Sequence, residues 1–167
     1  MLAATLRRSK FWPLMALAAM AAAVIVLTGC SPEVNAELQT YPGINAIRAQ
    51  NGLPPLVADA GLVEVARARS EDMAANNYFS HYPPDGCNYV CLMDKYGVTH
   101  AWAGENIAWN TWDWSQTAQV AVQMWANSPP HLENILDCHY TRFGTGVAKA
   151  ADGKVYFTMI FEGNRAC

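Results

Sequence analysis

The chain has 167 residues, 52% of them apolar or aromatic and 15% charged, with a formal net charge of −3, which is one domain's worth of chain and too hydrophobic to remain disordered. Arg7, Arg8 and Lys10 are the only charged side chains before Glu33, so the part after residue 29 carries −6. A net-acidic body without a lysine or arginine run argues against a nucleic-acid binder, which needs clustered cations, and against a polybasic membrane-surface module.

After the basic start, Phe11 to Leu27 runs 17 residues without a charge and ends in Leu27-Thr28-Gly29-Cys30. Basic start, apolar stretch and small-residue end are the parts of an export signal. The last four residues resemble a bacterial lipobox. That resemblance implies cleavage before Cys30, lipidation of its thiol, and anchoring to the outer face of a bacterial membrane. The alternative is an uncleaved anchor, for which 17 residues is the short end of the spanning range of about 17–25. Ser31 to Thr40, carrying Pro32, Glu33, Asn35 and Glu37, reads as a polar tether. The expected organisation is a signal over 1–29, a lipidated cysteine and tether over 30–40, and one domain over 41–167.

Pro42 to Asn51, with Ile44 and Ile47 at helical spacing and Gly52 behind, predicts a first helix. Asp59 caps a second, which carries Leu62, Val65, Ala66, Arg69 and Met73 down one side and ends near Asn76-Asn77. Ser80-His81-Tyr82-Pro83-Pro84-Asp85-Gly86 is loop chemistry, because two prolines and a glycine break both periodicities. Asn88 to Tyr96 predicts a short helix. Ser115 opens a further helix with Ala118, Ala121, Val122 and Trp125 on one face, and Ser128-Pro129 starts a short one through His131 to Leu136. Phe143 to Ala148 and Lys154 to Glu162 read as strands joined by an Asp152-Gly153 turn. Both faces of the last strand are largely apolar, so helices should cover the sheet on two sides. Helices first and a hairpin last give an α+β class.

Cys87, Cys91, Cys138 and Cys167 are an even set in a chain addressed to an oxidising compartment, and two disulfides are the default. Four cysteines allow three connectivities. Cys87–Cys91, closing a local turn, and Cys138–Cys167, pinning the C-terminus, are favoured. Spacing this uneven matches no zinc ribbon or finger.

Four histidines occur, and two sit in unusual company. His81 lies in the Pro-rich loop, and His131 occupies the first turn of a helix, where the positive end of the helix dipole favours neutral imidazole. Glu105, in Gly104-Glu105-Asn106-Ile107-Ala108, is a carboxylate among apolar neighbours, and partial burial would require a partner. Two imidazoles and a carboxylate could hold Zn²⁺ with an open position, or could brace three segments without further function. His100 and His139 read as surface or locally bonded. Trp102, Trp109, Trp112 and Trp114 crowd 13 residues around Glu105 and are candidates to line a groove for lipid tails or sugar rings.

Asn45-x-x-Arg48 before Gly52-Leu53-Pro54-Pro55-Leu56, then Ser80-His81, Gly104-Glu105-Asn106-Ile107-Ala108, Trp125-x-x-Ser128-Pro129-x-His131-x-x-Asn134-Ile135-Leu136, Phe143-Gly144-x-Gly146-Val147-Ala148 and Tyr156-Phe157-Thr158 occur in this order. Together they resemble a bacterial CAP (SCP) domain, of the superfamily of cysteine-rich secretory, antigen 5 and pathogenesis-related proteins. The resemblance implies a three-layer α-β-α sandwich with a central antiparallel sheet, and a cleft where His81, Glu105 and His131 meet. It places Ser128 where eukaryotic members carry a second glutamate. It also makes His139, opening His139-Tyr140-Thr141, an alternative to His131. The expectation is an exported, lipid-anchored, non-catalytic domain whose cleft binds a lipid, cell-wall fragment, protein or divalent metal. The alternative is a hydrolase in which His81 and His131 hold Zn²⁺ and Glu105 is the general base.

Overall fold

The structure, a computed structural model, describes residues 30–167; the expected export signal lies outside them. In chain order the elements are α1 (Pro32–Gln50), β1 (Val57–Ala58), α2 (Ala60–Asn76), α3 (Tyr89–Lys95), β2 (Trp102–Asn110), α4 (Thr117–Ala126), α5 (Pro129–Leu136), β3 (Arg142–Lys149) and β4 (Val155–Gly163). The strands form one sheet in the order β1-β3-β4-β2. β4 pairs antiparallel with β3 and β2, and the two-residue β1 runs parallel to β3.

The strand-like run at the C-terminus becomes the spine of the sheet because both its faces are apolar. Val155, Phe157, Met159 and Phe161 pack with Ile44 of α1, Trp125 of α4 and Ile135 of α5. On the other face Ile160 meets Leu62, Val65 and Ala66 of α2 with Met93 of α3, while Tyr156 meets Met73. The result is the α+β class in three layers, with the sheet covered on both sides as its hydrophobic pattern requires. The Asp152-Gly153 turn forms, with Gly153 at φ 92°.

Glycine decides how closely α2 lies on the sheet. Gly144 and Gly146 of β3 leave no room for a Cβ against the α2 backbone at Leu62–Val63 and Ala66–Arg67. Ser70 then donates to the Gly146 carbonyl at 2.9 Å and reaches Thr158 Oγ1 at 2.9 Å. This contact fixes where the α2 side chains one position earlier are delivered.

Two expectations are corrected. Ser31 to Thr40 is not a tether but the first half of α1, which continues through Pro42. It folds because its buried side chains find partners: Arg67 grips Glu37 with Nε at 2.9 Å and Nη2 at 2.6 Å, and Thr40 Oγ1 meets Thr145 Oγ1 at 2.9 Å. Hydrogen bonding to Glu37 raises the Arg67 pKa. Trp102–Asn110 is a full strand, β2, where no strand was expected. The central sheet is antiparallel as expected across β2, β4 and β3, with the two-residue β1 added in parallel at its edge.

Both favoured disulfides are present, Cys87–Cys91 with Cα atoms 5.2 Å apart and Cys138–Cys167 with Cα atoms 5.8 Å apart. Cys30 is free and exposed.

Candidate functional site

The site begins with an arginine in an apolar stripe. The Asp59 cap accepts from Leu62 N at 3.1 Å and sets the rotation of α2, so Arg69 faces the sheet beside Val65 and Met73 and is fully buried. A buried guanidinium requires compensation by charge and hydrogen bonds. Glu105 of β2, also buried, accepts from Arg69 Nε at 2.8 Å. Asn77, in the left-handed conformation at φ 52°, ends α2 and turns the chain back. Arg69 Nη1 can therefore donate to the Tyr78 hydroxyl at 2.9 Å, and Nη2 to the Ser80 carbonyl at 2.7 Å. The Tyr78 hydroxyl donates in turn to Asp72. Burial, then this bond, pushes the Tyr78 pKa up to about 12.

The network surfaces at His81. Its Nδ1 lies 2.6 Å from Glu105 Oε2, and its side chain is 44% exposed, against 1% for Glu105. Both Glu105 oxygens are thus engaged, one by Arg69 and one by His81. His81 lines a cavity of about 350 Å³ with Tyr82, Asn88, Tyr89, Gly104 and Asn134.

α5 closes the opposite side. Asn134 Nδ2 donates to the Glu105 carbonyl at 3.3 Å and to Asn106 Oδ1 at 2.8 Å, while Asn106 Nδ2 donates to the His131 carbonyl at 2.9 Å. These bonds fix the first turns of α5 against β2. Burial, then the neighbouring His81, holds the His131 pKa below the usual histidine value, which favours its neutral imidazole. His131 lines a second cavity, of about 400 Å³ and mostly apolar, with Phe79, Ile107, Trp109, Met124 and Trp125 among its walls.

A family model described as the cysteine-rich secretory protein family (CAP) matches residues 43–161. The chain belongs to the CAP family. Its relatives include "Uncharacterized protein YkwD" of Bacillus subtilis, 38% identical over 106 residues, covering 64% of this chain and 40% of that one. "Uncharacterized membrane protein YlbC" of the same organism is 37% identical over 132 residues, covering 77% and 35%. The chain therefore spans well under half the length of these relatives. Among solved structures, an extracellular protein containing an SCP domain from Bacillus anthracis aligns with TM-score 0.69 at 32% identity, covering 79% of this chain and 41% of that one. An outer surface protein from Borrelia burgdorferi aligns with TM-score 0.68 at 21% identity, covering 78% and 94%.

Within this CAP domain the residues expected to meet do so in part. His81 and Glu105 bond directly, while His131 stands on α5 with its carbonyl held by Asn106 of β2. His139 does not join them: its Nδ1 lies 2.7 Å from Asp137 Oδ1, and its ring stacks on Trp102 at 4.0 Å. His100 Nε2 lies 3.2 Å from Asp94 Oδ1. The four tryptophans do not line one groove. Trp109 borders the apolar cavity, Trp102 stacks on His139, Trp112 is exposed, and Trp114 packs against the core beneath Lys149. Strand alternation in β2 and the turn after it send these neighbours in different directions.

The donor set does not fit a three-ligand zinc centre. Among the described residues, the group of three or more candidate ligand atoms lying within 4.8 Å of one another is Asp137, Cys138, His139 and Cys167, and its cysteines are joined to each other. In the cleft each Glu105 oxygen already has a partner, Arg69 on one and His81 on the other. Catalytic zinc requires three protein ligands and an open position, and His81 and His131 supply two at most.

Sequence reading missed Arg69 as a site residue, along with Tyr78 and Asn134. The signal for Arg69 was present, since an arginine inside an apolar helical stripe must have a buried partner. Trp125 was read as core, which it is, but its indole Nε1 is the one buried side-chain polar atom without a hydrogen-bond partner among the described residues. Leaving such a donor unsatisfied costs about 1–3 kcal/mol.

Proposed function

We propose that the chain is an exported, lipid-anchored CAP-domain protein whose His81–Glu105 cleft binds a neutral, hydrogen-bonding ligand of the cell wall without transforming it. The observation that carries this reading is the Glu105 carboxylate, spent on both oxygens between Arg69 and His81. A carboxylate so committed orients the His81 imidazole and does not itself meet the ligand. His81, Tyr82 and Asn88 line a cavity of about 350 Å³ beside it, together with Asn134, whose amide N–H groups are already given to Glu105 and Asn106. Such neutral donors and acceptors suit sugar hydroxyls and peptide amides.

Export rests on the signal pattern of residues 1–29, and anchoring on Cys30. No helix among the described residues is long and apolar enough to cross a membrane. Because α1 starts at Pro32, a lipid on Cys30 would hold the folded domain directly on the membrane surface. Mass spectrometry of the mature protein tests this: a diacylglyceryl-modified Cys30 is expected, and an unmodified or uncleaved N-terminus overturns it.

The binding reading is tested by titrating soluble muropeptides into ¹⁵N-labelled protein beginning at Ser31. Shifts concentrated at His81, Asn88 and Asn134, lost in His81→Ala, are expected. No shift at millimolar muropeptide overturns the reading. A parallel Zn²⁺ titration that moves His81 and His131 together, while muropeptide moves neither, would replace the wall ligand with a metal.

A further inference from the structure

Trp109, Trp112 and Trp114 stand at the end of the molecule where the chain joins its export signal. Asn110, Val155 and Lys149 lie in one row across the sheet, and Trp112 N donates to Asn110 Oδ1 at 3.1 Å. Trp109, the loop carrying Trp112 and Trp114, and the turn from Lys149 to Lys154 therefore share that end. α1 runs antiparallel to β3: Arg48 near its C-terminus bonds the carbonyls of Asp137 and Tyr140 ahead of β3, and Glu37 near its N-terminus accepts from Val147 N. From Glu37 to Pro32 the helix rises roughly 7.5 Å, and from Val147 to Lys149 the strand rises roughly 6.6 Å, so both finish at one level. Cys30 is tied there too, since Asn35 Nδ2 donates to its carbonyl at 3.2 Å and Ser31 caps the helix through Val34 N at 3.3 Å. Trp102 lies at the opposite end of β2, paired with Gly163.

The side chains at this end are those that settle at a bilayer surface. Trp112 is 55% and Trp109 37% exposed, and Trp114 is half-buried, which leaves large rings in water around one end of the domain. Lys154 Nζ lies 5.3 Å from the Trp109 ring and Lys149 Nζ 5.5 Å from the Trp114 ring. An indole with one apolar side and one wet edge suits the headgroup layer, and a lysine stem lies along apolar surface while its ammonium reaches water. The acids Glu33, Asp113 and Asp152 outnumber the two lysines here, and Asp152 pairs with Lys154 at 2.7 Å. Insertion of rings, and not attraction to anionic headgroups, therefore has to hold any contact with lipid.

We infer that this end is a membrane-docking surface: Trp109, Trp112 and Trp114 seat in the headgroup layer of the bilayer that holds the chain's own anchor. This rests on the anchoring part of the proposed function and not on the binding part. The occupant follows from where the preceding chain joins the domain. Residues 1–29 end at Cys30, two residues before α1, so either a lipid on Cys30 or an uncleaved Phe11 to Leu27 stretch puts the bilayer beside Pro32. A connection that short makes ring insertion an intramolecular step at high effective concentration. Docking also orients the domain. Glu105, at the polar cavity, precedes Asn110 by five residues, roughly 16 Å along β2, so the His81 cleft faces away from the membrane.

Cys30 is exposed and is the free cysteine among the described residues, so its thiol can be coupled selectively. The chain from Cys30 to Cys167 is joined to maleimide-headgroup phosphatidylethanolamine in phosphatidylcholine vesicles, with N-ethylmaleimide-blocked protein beside the same vesicles as reference. Coupling should slow hydrogen exchange threefold or more in residues 111–116 and 150–153. Exchange should stay unchanged around Tyr96, which is exposed at the far end, where Val98 lies against Gly61 at the start of α2. Phosphatidylcholine brominated near its headgroup should quench tryptophan emission. Trp112→Glu, on an exposed position that does not threaten folding, should remove at least half of that quenching together with the protection, and Tyr96→Ala should remove neither. The inference is overturned if coupling protects neither segment, if protection spreads evenly over the surface, or if Trp112→Glu behaves as wild type. A requirement for added phosphatidylglycerol would likewise contradict ring insertion. Because the coupling is chemical, an unmodified Cys30 in the mass spectrum of the mature protein would sink the anchoring reading alone, whereas unprotected segments would sink the docking surface with anchoring intact.

Discussion

Two arginines are fully buried in this molecule, and they end in different places. Arg48 of α1 donates to main-chain carbonyls alone: Pro54 at 3.0 Å, Ile135 at 2.8 Å, Asp137 at 2.9 Å and Tyr140 at 3.5 Å. Burial, then the charge of Arg165, lowers its pKa. Arg69 of α2 donates to a carboxylate, a phenol and a carbonyl, and through Glu105 its network reaches His81 at the surface. A buried cation whose bonds all close on the backbone staples segments together. One whose bonds lead to a half-exposed imidazole presents that imidazole to whatever enters the cavity. Burial alone therefore does not identify a site; the route out of the network does.

The largest effect should come from breaking the second network. Arg69→Leu leaves the Glu105 carboxylate buried without its cation, and urea denaturation should show a loss of about 3–5 kcal/mol. Arg69→Leu/Glu105→Leu should recover much of it, because no charge is then stranded. If the single variant costs under about 1 kcal/mol, Glu105 is not held as described. Next, Cys138→Ser/Cys167→Ser opens a loop with a sequence separation of 29, which should cost about 3 kcal/mol. It loosens the same segment that Arg48 holds and should leave muropeptide binding unchanged.

Arg48→Met should cost about 2 kcal/mol, since carbonyls lose donors but no charge is stranded. The comparison requires that its cleft titrations match wild type; a lost muropeptide response would abolish the distinction between the two arginines. His81→Ala should cost below about 1 kcal/mol, because the side chain is 44% exposed, yet it should abolish binding at the polar end. The smallest effect is a pH slope. Below pH 6.5 the unfolded chain takes up a proton that folded His131, with its lowered pKa, resists. Stability should therefore fall as pH drops from 6.5 towards the folded value. Melts at pH 7.5 and 5.5 should differ less in His131→Gln than in wild type.

Where the hydrophobic pattern carried the information, the sequence was readable. The Asp59 cap, the apolar stripe of α2, the two-faced last strand and its Asp-Gly turn all stand in the structure. Where polar side chains do the packing, it was not. The first half of α1 buries Glu37 and Thr40, which look like tether residues until Arg67 and Thr145 are in place. β2 buries Glu105, Asn106 and Asn110, residues of low strand propensity whose partners come from α2, α5 and Thr117. The site followed the same rule. His81, Glu105 and His131 stand out by their local company, whereas the apolar stripe around Arg69 signals only that it is buried and paired, and its partner Glu105 lies 36 residues away. The crowding of tryptophans misled, because closeness along a strand and its turn does not put side chains on one face.

The central claim is that buried Glu105 holds His81 through Nδ1 and turns Nε2 towards the ligand cavity. The most direct measurement is a long-range ¹H–¹⁵N spectrum of the His81 imidazole at pH 7.5, recorded before and after muropeptide. The account predicts a proton on Nδ1 and a ligand-dependent shift at Nε2. A tautomer with the proton on Nε2 and none on Nδ1, or a ring indifferent to ligand while other cleft residues respond, would contradict it.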